Sequence, residues 1–270
     1  DAGIRPPIIA AGINLFGGPL GLIHKHVTGA LPLRRNTKDP AYLITLKAYV
    51  SELLHKHDLF IYPEGGRSYS GELKPMKSGL INACLDAGIK GLKLVPVAVS
   101  YDLVLEDHVI ARQKVKRSQK AFSREIAELV RYAVGYWSRA FVTFGKPIAI
   151  DGIDPENKKA VMDLTRHVRA EVGKQYKVLP TAVLAAAMKP SATRAEMKGR
   201  IDGVLETLRS VDANLSVKSA DEVIEKATEP LVTRNIIVVE QGRYRVRERN
   251  VLRYYARSLN HLLSPPTSTH

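Results

Sequence analysis

Cysteine is almost missing from this chain: Cys84 stands alone among 270 residues. That excludes an intrachain disulfide and makes a reducing, cytosolic-side setting the simpler expectation; Cys84 itself is expected in the core. Long hydrophobic runs are missing too, because Gly, Pro or Lys breaks the apolar stretches well before the roughly 18 residues that a membrane-spanning helix needs. The opening, DAGIRPPIIAAG, has neither an initiating Met nor the basic-then-apolar order of a signal peptide. It reads as beginning in mid-pattern. Acidic residues are scarce relative to basic ones, 27 Asp+Glu against 41 Lys+Arg, for a formal charge of +14. Such a field attracts nucleic acid, anionic lipid or phosphorylated small molecules without choosing among them. A hydrophobic share of 45% with 25% charged residues excludes a disordered or fibrous chain.

What is present alternates between helix and strand patterns. Asp39-Pro40 has the form of a capping residue followed by Pro at the first helical position. Leu43, Leu46, Val50, Leu53 and Leu54 then recur at helical spacing, predicting a helix that ends near His57. Residues 59–62 read as a short buried strand emptying into Pro63-Glu64-Gly65-Gly66. A helix over 78–85 stopped by Gly88, a strand over 94–99, a helix over 123–136 and a strand over 141–144 follow. This alternation predicts an α/β layered domain over residues 1–150 with a largely parallel, buried sheet. Residues 151–263 turn to Ala, Lys, Glu and Arg, broken at Pro180, Pro190 and Pro230, and predict a mostly helical region. Within it, Ser219 and Glu222 have capping-box spacing, and two short apolar runs flank Gln241-Gly242 as a hairpin. A last helix is expected over 251–263, and residues 264–270 are expected to be a disordered tail.

The segment richest in chemistry is FIYPEGGRSYSGELKPMKSG, residues 60–79. A strand delivers Glu64, Gly65, Gly66, Arg67 and Ser68 into one loop. Glycines let backbone N–H groups approach an oxyanion, Arg67 offers a planar fork for phosphate, and Glu64 can accept from a hydroxyl. That set suits a phosphorylated polyol; it is equally the composition of a tight turn with a surface ion pair. A second cluster runs from Gly29 through Ala30, Leu31, Pro32 and Leu33 to Arg34 and Arg35. Adjacent strand residues point to opposite faces, so one arginine can meet a ligand while the other braces the loop, or both can be solvated. A third, Val95-Pro96-Val97, places Pro inside a strand, which marks an edge, a bulge or a shaped wall.

These three pieces, in this order, resemble the glycerolipid acyltransferases. That family carries a His-x4-Asp block, then a Gly-Ala block ending in Arg-Arg, then Phe-x-x-Glu-Gly-x-Arg-Ser, then Val-Pro-Val. The second, third and fourth match residues 29–35, 60–68 and 95–97. Pro6 to Leu15 looks like the linker after the first block in the glycerol-3-phosphate branch, and Tyr254-Tyr255-Ala256-Arg257-Ser258-Leu259-Asn260-His261 is similar to a C-terminal helix of that branch. Gly66, where enzymes acting on lysophosphatidic acid usually have Thr, favours the same branch. Leu31-Pro32-Leu33 and Tyr69 depart from the pattern.

The resemblance implies transfer of an acyl group from acyl-CoA or acyl-ACP to the sn-1 hydroxyl of glycerol 3-phosphate, without metal or cofactor. Dihydroxyacetone phosphate or lysophosphatidic acid is the alternative acceptor. Arg35 and Arg67 would hold the phosphate and Glu64 the glycerol hydroxyls, with Gly65 and Gly66 lining the loop and Arg34 and Ser68 in support. A His oriented by Asp would take the hydroxyl proton. None of His24, His26, His55, His57, His108, His167 or His261 has Asp five positions on. The His-x4-Asp block is therefore expected upstream of Asp1, and the chain as given is expected to be inactive. His24/His26 and His55/His57 have the spacing but not the partner set of a metal site, and residues 12–21 lack the ending of a nucleotide-binding loop.

Six basic residues and no acid between Arg112 and Arg124 suit anionic lipid headgroups better than nucleic acid, since aromatics are nearly missing there. Peripheral attachment to the cytoplasmic side of a membrane is the expectation. Two rivals stand beside it: a catalytically dead relative that binds lipid or phosphate, and a winged-helix-like nucleic-acid binder using seven arginines between residues 234 and 257.

Overall fold

The computed structural model describes residues 5–16, 29–34, 37–105, 107–112 and 138–264. The helix expected over 123–136 and the tail from 265 onward lie outside them. The chain divides into two compact units. The first comprises Asp1–Arg67, Pro75–Val95 and Pro147–Arg169, and the second Ser68–Lys74, Pro96–Lys146 and Ala170–His270.

In the first unit, β1 (Ile8–Gly12) is the middle strand of a three-stranded parallel sheet, between β2 (Leu31–Leu33) and β3 (Leu59–Phe60). Parallel neighbours need a crossover, and α1 (Pro40–Leu54) lies on the path from β2 to β3. It starts where its sequence says it should. The Asp39 carboxylate accepts from the N–H groups of Ala41 and Tyr42 at 3.0 and 3.4 Å, and Pro40 fills the first helical position; such a cap stabilises a helix by about 1 kcal/mol. α1 ends at Leu54, and Leu43, read as part of the apolar stripe, is exposed. α2 (Gly79–Asp86) buries Ile81, Ala83, Cys84 and Leu85, and Gly88 turns the chain after it at φ 62°. Val50, Ala83 and Cys84 form a small core with Leu31, Leu46, Leu54, Leu59, Leu80 and Leu92 around it. β4 (Lys93–Leu94) pairs antiparallel with β7 (Ile148–Ala149).

The α/β class therefore holds, with antiparallel pairings beside the parallel sheet. The strand expected over 94–99 is divided at Pro96, which has no N–H for a ladder. Leu94 ends β4, and Val97 begins β5 (Val97–Tyr101), which pairs antiparallel with β6 (Ala140–Phe144) in the second unit. The Pro96 carbonyl still accepts from Gly145 N–H at 2.7 Å.

The second unit also holds α3 (Asp107–Arg112) and the end of α4 (Lys158–Gln175), whose earlier turns belong to the first unit. Its main core gathers α5 (Pro180–Ala187), β8 (Ser191–Thr193), α6 (Arg194–Ser210), α7 (Ala220–Thr233), β9 (Ile237–Glu240), β10 (Arg243–Val246) and α8 (Arg249–Arg257). On α6, Met197, Ile201, Leu205 and Leu208 form one helical stripe of fully buried side chains. The expected hairpin is β9–β10, with Gln241 and Gly242 both at positive φ, the geometry a two-residue turn between twisted strands requires. β8 adds a third strand, giving the order β8-β10-β9. Helix, strand, two helices and a hairpin, with that pairing, is the winged-helix topology.

The reciprocal capping box is at Thr193 and Glu196. At Ser219 only half of one forms, because Glu222 accepts from Lys218 N–H instead. The last helix breaks after Arg257: the Ser258 hydroxyl donates to the Tyr255 carbonyl at 2.7 Å, and α9 (Asn260–Leu263) follows. Beneath α8, the fully buried Asp107 carboxylate pairs with Arg234 and accepts from the Tyr255 hydroxyl at 2.7 Å. Burial first, then the Asp107 charge, holds the Tyr255 phenol well above its ordinary value.

Burial pushes the Cys84 thiol up from 9.0 to about 11. Between those values the unfolded chain releases this proton and the folded chain keeps it, so its contribution to stability is complete below pH 9.0 and falls as pH rises toward about 11. At pH 8 a disulfide reagent should label Cys84 only in denaturant. Rapid labelling of the native protein would contradict the burial.

Candidate functional site

Parallel strands all finish on the same edge of their sheet, so the residues that follow them gather there. In the first unit β1 runs into a 3-10 turn (Ile13–Phe16), β2 runs directly into Arg34, and β3 runs into Ile61, Tyr62, Pro63 and Glu64. Since β2 and β3 flank β1, Arg34 and the segment leading into the glycine loop leave by the same edge of the sheet, β2 ending opposite Gly12 and β3 opposite Ile9. The second and third sequence blocks thus meet on one edge.

Arg34 is held from two directions. Its N–H donates to the Tyr42 hydroxyl at 3.0 Å, and its guanidinium lies over the Tyr42 ring, 5.4 Å from the centroid. The first turn of α1 therefore orients it. Arg35 lies outside the described residues. In the loop, Gly65 N–H donates to the Tyr62 carbonyl at 2.9 Å with φ at 68°, and Lys77 N–H donates to the Pro63 carbonyl at 2.8 Å. Phe60 and Tyr62 pack edge to face at 5.0 Å where the strand gives way to the loop. Glu64 is half-buried, while Arg67 is exposed.

Lys77 is the functional candidate that sequence reasoning missed. A Cβ on Gly65 would stand 3.0 Å from its Cε and 3.2 Å from its Nζ, so the glycine makes room for the ammonium against the loop. Its only sequence signal is that Pro75-Met76-Lys77 closes the same segment. Arg34, Arg67 and Lys77 then place three exposed cations on elements that meet at this edge, beside the half-buried Glu64. Such a set can hold a phosphate dianion by charge-assisted hydrogen bonds while a carboxylate accepts from neighbouring hydroxyls. Ser68 contributes differently: its hydroxyl donates to the Glu72 carbonyl at 2.7 Å, bracing the chain after the loop.

Other candidates lie elsewhere or have no described geometry. A cavity of about 280 Å³ is lined by Arg5, Pro6, Leu54, Lys56, His57 and Asp58, at the opposite, N-terminal edge of the strands. His24 and His26 are outside the described residues. Among the described residues no group of three or more His, Cys, Asp or Glu is placed to hold a metal ion, and no helix is long and apolar enough to cross a membrane.

Comparison with known proteins now bears directly on this edge. Residues 1–100 match the acyltransferase family. That span contains all three sequence blocks, β2 and β3, which deliver the first two of them, and Lys77. Over 98% of its length the chain is 28% identical to a glycerol-3-phosphate acyltransferase of Aeromonas hydrophila subsp. hydrophila, of which it covers 37%. Over 98% it is also 27% identical to a glycerol-3-phosphate acyltransferase of Alteromonas mediterranea, of which it covers 36%. The chain thus spans little more than a third of the length of these curated relatives.

Replacing Gly65 by Ala is expected to cost about 1–2 kcal/mol in denaturant unfolding, because it forces a side chain into the left-handed region against Lys77. Gly79→Ala, in α2 with nothing within 4 Å of an added Cβ, should be neutral or stabilising. Equal effects at the two sites would remove the special role of the Gly65 turn.

Proposed function

We propose that this chain forms the acceptor-binding part of an enzyme that moves a fatty acyl group from an acyl-CoA or acyl-ACP thioester to the sn-1 hydroxyl of glycerol 3-phosphate, giving lysophosphatidic acid. The observation that carries this reading is the convergence of Arg34, Glu64, Gly65, Gly66, Arg67 and Lys77 at one edge of a parallel sheet, within the segment that matches the acyltransferase family.

The charges divide the work. Arg67 and Lys77 hold the phosphate, and Arg34, fixed on Tyr42, supports them together with its neighbour Arg35. Glu64 accepts from a glycerol hydroxyl and so sets which carbon presents its oxygen for attack. That oxygen attacks the thioester carbonyl, its proton passes to a His, and the thiol leaves. The His belongs to the expected His-x4-Asp block, and none of the described histidines takes that role. Dihydroxyacetone phosphate carries the same phosphate and is the competing acceptor. Peripheral contact with an anionic membrane surface fits the +14 charge and the fate of an acylated product.

The winged-helix topology of the second unit raises nucleic-acid binding as a second reading. Charge argues against it: α7 carries Asp221, Glu222, Glu225 and Glu229 against Lys226 alone. Asp221 also draws in Arg194 and Lys198 of α6, and Glu240 draws in Arg245 and Arg247 of the hairpin. That acidic helix is ill suited to face a phosphate backbone.

In the complete gene product, Arg67→Ala should raise KM for glycerol 3-phosphate about tenfold or more, as expected for a lost charged hydrogen bond, and leave KM for the acyl donor unchanged. Equal rises in both would count against a phosphate role, and inactivity of the unaltered protein toward glycerol 3-phosphate would end the reading. At physiological salt duplex DNA should not bind beyond the weak non-specific range that a +14 charge produces; tight binding with a steep salt slope would favour the nucleic-acid reading.

A further inference from the structure

The seven residues after the acceptor loop, Ser68–Lys74, belong to the second unit and are fastened there to the C-terminal helices. Glu72 is the centre of the attachment. Its Oε1 accepts from Asn260 Nδ2 at 2.8 Å, with Arg257 Nε at 3.9 Å, and its Oε2 accepts from the Ser70 hydroxyl at 3.1 Å. Its own carbonyl accepts from Ser68 Oγ at 2.7 Å, one residue beyond Arg67. Gly71, at φ 86°, lies so close to the Tyr254 carbonyl that any Cβ there would overlap it. Leu73 and His261 both border Gly173, whose carbonyl lies 3.2 Å from His261 Nε2. Tyr254 is itself fixed in place, because its neighbour Tyr255 is tied to the buried Asp107.

Resting on the acceptor-binding reading above, we infer that the segment from Tyr254 to His261 positions the phosphate-binding loop, with Glu72 and Asn260 as the latch. Arg67 and Ser68 share a peptide bond, so holding Ser68 through Glu72 limits how far the Arg67 fork can wander. Glu72 and Asn260 are positioning residues and touch no substrate. The contact ties the C-terminal segment to a loop far from it in sequence: Asn260 is 188 residues from Glu72. An alternative is that the latch serves stability alone. The side chains of Glu72 and Arg257 are 42% and 37% exposed, and exposed ion pairs contribute little to stability. Loss of the latch should therefore register in substrate binding more than in unfolding.

The test uses the complete gene product with Glu72→Ala, Glu72→Gln, Asn260→Asp and the double variant Glu72→Ala/Asn260→Asp. Asn260→Asp sets a second carboxylate against Glu72. Loop misplacement of this kind should raise KM for glycerol 3-phosphate about tenfold, with KM for the acyl donor and the melting temperature little changed. Glu72→Gln keeps an acceptor for Asn260 and should stay near the unaltered protein. The double variant should be no worse than the worse single one, since both changes break one contact. Hydrogen exchange of peptides spanning residues 61–74 should quicken in Asn260→Asp. Unchanged exchange, an unchanged acceptor KM, or fully additive effects would overturn the latch. If the unaltered protein does not turn over glycerol 3-phosphate, the acceptor reading falls, and the exchange experiment still decides the latch.

Discussion

Parallel pairing of β1 with both β2 and β3 is the constraint from which the candidate site follows. Antiparallel neighbours send their loops to alternate edges, whereas parallel neighbours must return by a crossover and so finish side by side. Here the crossover is α1, whose first turn carries Tyr42 back to the start of the site, where it receives Arg34. The strands are short, three residues in β2 and two in β3. Little ladder is available to hold their ends, so caps, glycine turns and side-chain contacts beyond the strands do much of the fixing.

The second unit answers that need in a different way. Its core is far larger, running through α5, α6, α7, α8 and the three-stranded sheet, and removing one partner of its buried Asp107–Arg234 pair would leave an uncompensated charge, a loss of about 3–5 kcal/mol. Tyr255 joins that pair to α8. A segment fastened to such a core inherits its order, and Ser68–Lys74 is fastened there directly after the residues proposed to bind phosphate. Chain continuity alone joins this fastened segment to the residues proposed to bind phosphate.

Local rules made much of this legible in advance. Asp39-Pro40 gave a helix start confirmed by two N–H contacts, and Gln241-Gly242 gave the hairpin, because each motif needs only its own few residues. Pro96 was correctly unusual, yet the apolar run around it hid a division between two strands with different partners. Capping depended on which N–H the carboxylate reached: Glu196 closed a reciprocal box, while Glu222 turned to Lys218. Lys77 and Asn260 could not be read from spacing, since their relevance comes from a missing Cβ at Gly65 and from a contact 188 residues away.

Magnitudes explain why positioning matters so much at this site. Arg34, Arg67 and Lys77 are all exposed, and a unit charge pair 4 Å apart in water is worth only about 1 kcal/mol, rising to about 4 kcal/mol near a protein surface. Arresting a free Arg or Lys side chain gives back about 2 kcal/mol of rotamer entropy. Three mobile cations would therefore gain little from binding a phosphate. Cations already restrained gain more of the Coulomb term, and the structure holds two of these side chains in place: Arg34 by the Tyr42 ring and Lys77 against the bare face of Gly65. Affinity at such an open site comes from order established before the ligand arrives. That is why glycines, a tyrosine ring and a remote asparagine carry as much of the proposed function as the charges do.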